Sequence, residues 1–355
     1  MSHDAPPALR IDRAVVRAPV AQGLATGHVP RDVPHLARFL MDAVAPDGER
    51  AHKLLDRLTL DVLPGERMVL LGEEGCGKTT LARACARTVD LDAGAIEVGG
   101  LGLTTRRRAD ALQVRRRLQV VFDDPEACLD PRCTIADSLR EAFDALGLGR
   151  DGTAFESTAD RALARARFPA EARGTRARDL PAGLRARAAL ARALLPGPQV
   201  VVVDEPSARL DPLARASLLE ALIGLTPTGA APGDRAALLA LTHRPDVARA
   251  LAQRVGVLYL GALVELGSVE LLDTPVHPYA RGFLASAPQR ARPASARAIA
   301  GELPSVAERP AGCAFHPRCP DAIARCATER PALLPATRDG TRSVACHVVH
   351  QAAAP

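Results

Sequence analysis

Five short apolar runs set the rhythm of this chain, at residues 67–71, 118–122, 200–203, 236–241 and 255–260. Residues 200–203 are four consecutive valines, and such β-branched runs suit strands buried on both faces of a parallel sheet. Helical patterns lie between the runs. One starts at Lys78 and extends to about Arg87; another covers 184–195, rich in Ala, Leu and Arg, and stops at Pro196-Gly197-Pro198. From Pro125 to about Asp179 the sequence turns polar and helical, as an inserted helical unit would. Residues 1 to about 50 read as irregular, with one strand at 9–16 and a Pro/Gly-punctuated stretch at 18–48. The last ninety residues change character, with spaced prolines and half of the eight cysteines. Alternating strands and helices predict an α/β fold with a mostly parallel sheet covered on both sides, a helical insert and a small cysteine-containing C-terminal extension.

Composition changes this picture little. At 355 residues, with 47% hydrophobic and 25% charged positions, the chain suits a soluble globular protein with one large core and a smaller appended unit. It has no run of about eighteen apolar residues to span a bilayer, and its first thirty residues lack a signal-peptide stretch. The expected location is cytoplasmic, with any membrane role exercised through partners. The net charge of +5 is almost all arginine, for the only lysines are Lys53 and Lys78. No aromatics interleave with the arginines as a nucleic-acid platform requires, so no nucleic-acid partner is expected. The scarcity of lysine makes Lys78 informative.

Gly72-Glu73-Glu74-Gly75-Cys76-Gly77-Lys78-Thr79 fits the P-loop pattern and lies between a strand and a helix. Glycines let backbone N–H groups converge on phosphate oxygens at a helix N-terminus. Lys78 is expected to neutralise the β- and γ-phosphates, and Thr79 to offer its hydroxyl to Mg²⁺; Thr80 completes the nucleotide-binding set. Glu74 is out of place, since a carboxylate in an anion cradle weakens binding unless it points outward. About 130 residues downstream, the valine run ends in Asp204, suited to the Mg²⁺ shell, and Glu205, suited to polarising an attacking water. His243 follows another apolar strand and is a candidate contact for the γ-phosphate.

The order of these motifs resembles the ABC ATPase family over about residues 55–267, with Asp123, Leu180 to Leu184, Asp204-Glu205-Pro206, Leu210-Asp211 and Thr242-His243 at the matching places. Glu73, Gly75 and Cys76, the stretch 125–132, Leu258-Tyr259-Leu260-Gly261, His277-Pro278-Tyr279 and the tail from Gly301 to Pro320 resemble the oligopeptide/dipeptide importer branch. The resemblance implies a RecA-like P-loop NTPase fold, ATP and Mg²⁺ as ligands, and ATP hydrolysis coupled to uptake of peptides, nickel or another small solute. It also implies a second ABC ATPase subunit, two transmembrane permease subunits and an extracytoplasmic solute-binding protein, with the chain peripheral at the cytoplasmic face of the membrane. The implied units are 1–125 and 184–267 for the nucleotide-binding core, 126–183 for the helical signature unit and 268–355 for the extension.

Several positions depart from the family pattern. The signature Ser-Gly-Gly-Gln, which serves the partner's nucleotide, is Pro181-Ala182-Gly183-Leu184 after Leu180; Pro181 has neither hydroxyl nor N–H, and Ala182 restricts the loop. The family's glutamine is Asp123, and its P-loop serine is Glu74. The loop after Glu205 carries Arg209, whose equivalent in an opposing chain that shares it is a candidate to balance Glu74 of this chain. Ala18 stands where an aromatic stacks on adenine, a loss of about 1–3 kcal/mol of affinity by analogy with base stacking. The retained Lys78, Thr79, Asp204, Glu205 and His243 beside a damaged signature imply an asymmetric heterodimer; the alternative is a weakly hydrolysing or non-hydrolysing regulatory subunit.

Cys313, Cys319, Cys326 and Cys346 are separated by five, six and nineteen residues. Such clustering in a cytosolic chain favours metal or Fe–S ligation over disulfides. The intervals exceed those of zinc knuckles, leaving a [4Fe–4S] cluster, a Cys₄ zinc site or free thiols; the resemblance implies the [4Fe–4S] cluster. Cys76, Cys85, Cys128 and Cys133 read as packing residues.

Overall fold

The computed structural model describes residues 6–17, 53–104, 107–123, 128–151, 154–226, 235–286, 299, 301, 303–304, 309–337 and 339–352. The whole punctuated 18–48 stretch expected to be irregular, Ala18 included, lies outside them, as do Pro125 to Ala127.

The chain opens with β1 (Leu9–Arg17), which pairs antiparallel with both β2 (Lys53–Val62) and β4 (Ala93–Val98). Between the last two come β3 (Arg67–Leu71) and helix α1 (Lys78–Cys85). The short β5 (Leu101–Gly102) completes a four-stranded sheet in the order β2-β1-β4-β5. This sheet was not expected beyond β1. In β2, buried Leu58, Leu60 and Val62 alternate with exposed Arg57, Thr59 and Asp61, the two-residue period of a half-buried strand.

The second sheet takes up β3 and the strands after β5. Helix α2 (Arg108–Arg117) leads directly into β6 (Leu118–Val121). A helical stretch comes next, with α3 (Ile135–Ala145), α4 (Phe155–Arg165) and α5 (Ala182–Leu194). Thr134 and Asp137 close a reciprocal capping box at the head of α3. The chain returns through β7 (Val200–Asp204), α6 (Pro212–Ile223), β8 (Ala237–Thr242), α7 (Pro245–Leu251) and the β9 (Arg254–Tyr259)–β10 (Ala262–Ser268) hairpin. Helix α8 (Pro278–Ala285) lies early in the extension, which also supplies β11 (Leu334–Pro335) and β12 (Ser343–Val344). The eight strands run β11-β12-β10-β9-β3-β8-β7-β6, parallel from β9 to β6 and antiparallel beyond β9. The expected α/β fold with a mostly parallel sheet is therefore present.

Burial explains why the central strands are apolar throughout. Val69, Leu71, Val201 and Val203 enter one core with the helices α3 to α7; Met68, Leu70, Val200 and Val202 enter the other with α1, β1 and β2. Each strand is thus covered by helices on one face and by the antiparallel sheet with α1 on the other. Among the described residues no helix is long and apolar enough to cross a membrane.

The extension is built into this body. Strand β12 pairs with β10, Phe315 packs edge-on against Tyr259 at 5.3 Å, and tail arginines, Arg330 at Asp56 among them, reach core acids. Arg309 lies 3.2 Å from Asp56, Arg318 3.1 Å from Glu73 and Arg342 3.8 Å from Glu265. Glu265 is fully buried and accepts the N–H groups of Val276 (3.0 Å) and His277 (2.8 Å), steering the chain into α8. Its removal would leave those donors without a partner and Arg342 without an acid. Glu265→Ala is therefore expected to destabilise the fold by about 2–4 kcal/mol, and Glu265→Gln by less, in denaturant titrations.

Candidate functional site

Strand β3 delivers the chain to a turn that only glycines allow. A Cβ on Gly72 would stand 2.4 Å from the Leu258 carbonyl oxygen and 2.8 Å from Cys76 Sγ. Gly77 has φ +109° and caps α1 without a side-chain hydrogen bond, so the helix N-terminus is left open to an anion. The Lys78 side chain is buried; its Nζ donates to the carbonyls of Gly72 (2.8 Å) and Glu73 (2.9 Å) and stands 3.9 Å from Glu205 Oε1. Thr79 is exposed and Thr80 half-buried in the first turn.

The two loop acids part company. Glu74 points outward, 86% exposed, with its carboxylate 4.0 Å from His243 Nδ1. Glu73 turns inward, its N–H donating to the Tyr279 hydroxyl (3.0 Å) and its carboxylate facing Arg318. Cys76 is buried beneath the loop with Sγ 3.7 Å from Lys78 Nζ, and Gly75 is exposed at its crest.

Strand β7 places Asp204 and Glu205 beside this loop. Glu205 sits at φ +44°, an uncommon conformation for a non-glycine residue. Its carboxylate accepts from Thr242 Oγ1 (2.9 Å) and the His243 N–H (2.8 Å), and lies 2.9 Å from His243 Nδ1. Glu205, His243 and Lys78 therefore form one connected group, although 165 positions separate Lys78 from His243 (243 − 78). Sequence reading singled out Glu205 and His243 but not the bond between them.

Asp204 is buried, and its Oδ1 has no hydrogen-bond partner. Burial pushes its carboxyl up from 3.8 to about 6, with a Thr79 hydrogen bond opposing and the Glu205 charge adding to the rise. An unpartnered buried carboxylate oxygen next to the Thr79 hydroxyl is a donor set suited to a hard divalent cation, so the residues present fit Mg²⁺. Asp123 lies within electrostatic reach of Asp204. Arg209, whose equivalent in an opposing chain is the candidate to balance Glu74, lies 3.9 Å from Asp123 of its own chain.

The signature positions stand apart from this group. Leu180 is buried, Pro181 caps α5 without a side-chain hydrogen bond, and Ala182, Gly183 and Leu184 form the first turn. Leu180 O accepts from Arg185 (2.9 Å), and a Cβ on Gly183 would meet Ala214 of α6 at 2.6 Å.

In the extension, Cys313 N–H donates to Cys326 O at 2.8 Å. Burial raises the thiols of Cys313, Cys346 and Cys319, the last to about 11, and each also feels the charge of other cysteines of the set. Among the described residues no three His, Cys, Asp or Glu side chains form a group that could hold a metal ion. The single-ion geometry of a Cys₄ zinc site is therefore not formed, and the expected [4Fe–4S] cluster gains no support from converging donors.

A carboxyl that binds its proton more tightly folded than unfolded favours the folded state at low pH. For Asp204 that contribution is complete below 3.8 and lost as pH rises through about 6. Without nucleotide or Mg²⁺, stability is expected to decline between about pH 4 and about pH 6, and Asp204→Asn to flatten the decline in thermal unfolding.

Comparison with known proteins agrees with this geometry. Residues 55–208 match the ABC transporter family model, and residues 264–326 match that of the oligopeptide/dipeptide transporter C-terminal region. A Sinorhizobium fredii protein that carries the name peptide ABC transporter ATP-binding protein is 36% identical over 310 residues, covering 85% of this chain and 84% of its own. A Brucella ovis protein named for peptide import ATP binding is 36% identical over 290 residues, covering 79% and 88%. Among solved structures, cbiO1 from Clostridium perfringens, part of the ABC transporter complex cbiONQ, superposes with a TM-score of 0.57 at 19% identity, over 76% of this chain and 91% of its own. A dimeric post-hydrolysis state of the ATP-binding cassette MJ0796 with ADP and Pi gives 0.56 at 17%, over 74% and 98%. With the phosphate loop, the acid pair and both family matches in register, the chain belongs to the ATP-binding subunits of the ABC transporters, in the oligopeptide/dipeptide branch.

Proposed function

We propose that this ATPase subunit energises the import of peptides or related small solutes as one half of an unequal pair. The joined Lys78–Glu205–His243 group carries the reading. Lys78 neutralises the β- and γ-phosphates, leaving the loop carbonyls for the nucleotide. Glu205 takes the proton of the attacking water, and its bond to His243 Nδ1 fixes the ring and leaves Nε2 as the nitrogen to contact the γ-phosphate. Thr79, Asp123 and Asp204 would hold Mg²⁺, which would supply positive charge to offset that of the phosphates.

A second ABC ATPase supplies the signature loop for this site, and two permease subunits bring both ATPases to the cytoplasmic face of the membrane. An extracytoplasmic binding protein presents the solute. The unit 126–183 carries this chain's own signature, headed by Pro181, to the partner's nucleotide, which is the weaker site. That proline-capped helix also favours a second reading, in which the chain binds ATP but turns it over slowly. In the reconstituted transporter, Glu205→Gln is expected to lower single-turnover hydrolysis by about 10²-fold or more; an unchanged rate would favour the second reading.

We further infer that Cys313, Cys319, Cys326 and Cys346 ligate a [4Fe–4S] cluster of structural role. Support comes from the mutual electrostatic influence of these thiols. Anaerobic preparations are expected to contain about four irons per chain with a broad visible absorption; zinc in a colourless preparation would sink the idea.

A further inference from the structure

We propose that Arg318 of the C-terminal extension is a positioning residue for the phosphate loop, acting through Glu73. Three parts of Glu73 are held. Its N–H donates to the Tyr279 hydroxyl (3.0 Å), its carbonyl accepts the Lys78 ammonium (2.9 Å) and its carboxylate faces the Arg318 guanidinium (3.1 Å). Two parts of the extension thus grip the residue on which Lys78 rests.

Arg318 is itself fixed. Its side chain is 8% exposed and donates to the Gly301 carbonyl at 2.9 Å, and it ends the short turn His316–Arg318. Phe315, immediately before that turn, is buried against Tyr259 and Tyr279. Leu303 covers the same loop further on, 3.6 Å from where a Cβ of Gly75 would stand.

The arrangement acts on charge as well as on shape. The loop carries two consecutive acids where a polyanion binds. Glu74 is screened by solvent, but Glu73 is turned inward, where its charge would act on phosphate with little screening. The guanidinium removes that repulsion and keeps the Glu73 peptide oriented for Lys78. Loss of Arg318 would therefore harm nucleotide binding through a carboxylate left unneutralised, and removing that carboxylate's charge should cure the defect.

This inference rests on the loop being the nucleotide site. The test measures binding of a fluorescent ATP analogue with Mg²⁺ by the full-length chain, with melting curves as a folding control. Arg318→Met is expected to raise Kd by about tenfold, and Arg318→Lys by less because it keeps charge without the fork. Adding Glu73→Gln to Arg318→Met is expected to return Kd to within about twofold of Glu73→Gln alone. Unchanged affinity in Arg318→Met, or failure of Glu73→Gln to rescue it, would overturn the proposal; a tail that had merely come loose gives the latter result. A wild-type chain that bound no nucleotide would instead sink the nucleotide reading itself, and this inference with it.

Discussion

One ammonium, that of Lys78, stands among the carboxylates of Glu73, Glu74, Asp123, Asp204 and Glu205. Most of the local architecture can be understood as the management of that imbalance. Arg318 takes Glu73, Arg209 approaches Asp123, and solvent screens Glu74. Thr242 and His243 hold Glu205, while burial favours a proton on Asp204. Each solution draws on a different part of the chain, so the charge balance of a single loop depends on the folding of the whole body.

The parallel sheet makes these meetings possible. Neighbouring parallel strands end at the same edge, so β3, β7 and β8 bring Gly72, Asp204 and Thr242 together despite their distance in sequence. The positive φ of Glu205 shows local strain tolerated at that edge, where the surrounding hydrogen bonds fix the residue. The signature segment lies at the head of a different helix, where Leu180, Ala182 and Leu184 pack into the main core.

The range of each interaction decided whether it could be read in advance. The central strands were legible because burial on both faces demands continuous apolar residues, and the phosphate loop because its glycines answer to local backbone geometry. The antiparallel sheet was largely missed for two reasons. In β4 the segment opens Ala-Gly-Ala, which has little strand propensity, and β2 finds β1 only across residues 18–52. Tail strands of two residues have no periodicity to detect. The pairing of Glu73 with Arg318 spans 245 positions and left no local trace, although both residues lie in recognisable motifs. Glu74, by contrast, pointed outward as its charge required.

The pairing of β12 with β10 also bears on how this polypeptide is made and kept soluble. Strand β10 is the last long strand of the sheet, and its outer ladder is covered only when residues more than seventy positions later arrive at Ser343 and Val344. Until then a growing chain presents an open strand edge beside an almost finished core, the kind of surface that recruits other strands. Pairing at Glu265 and Leu266 closes part of that edge, so shortened forms of the protein would leave β10 open to strand pairing even with every nucleotide-loop residue in place.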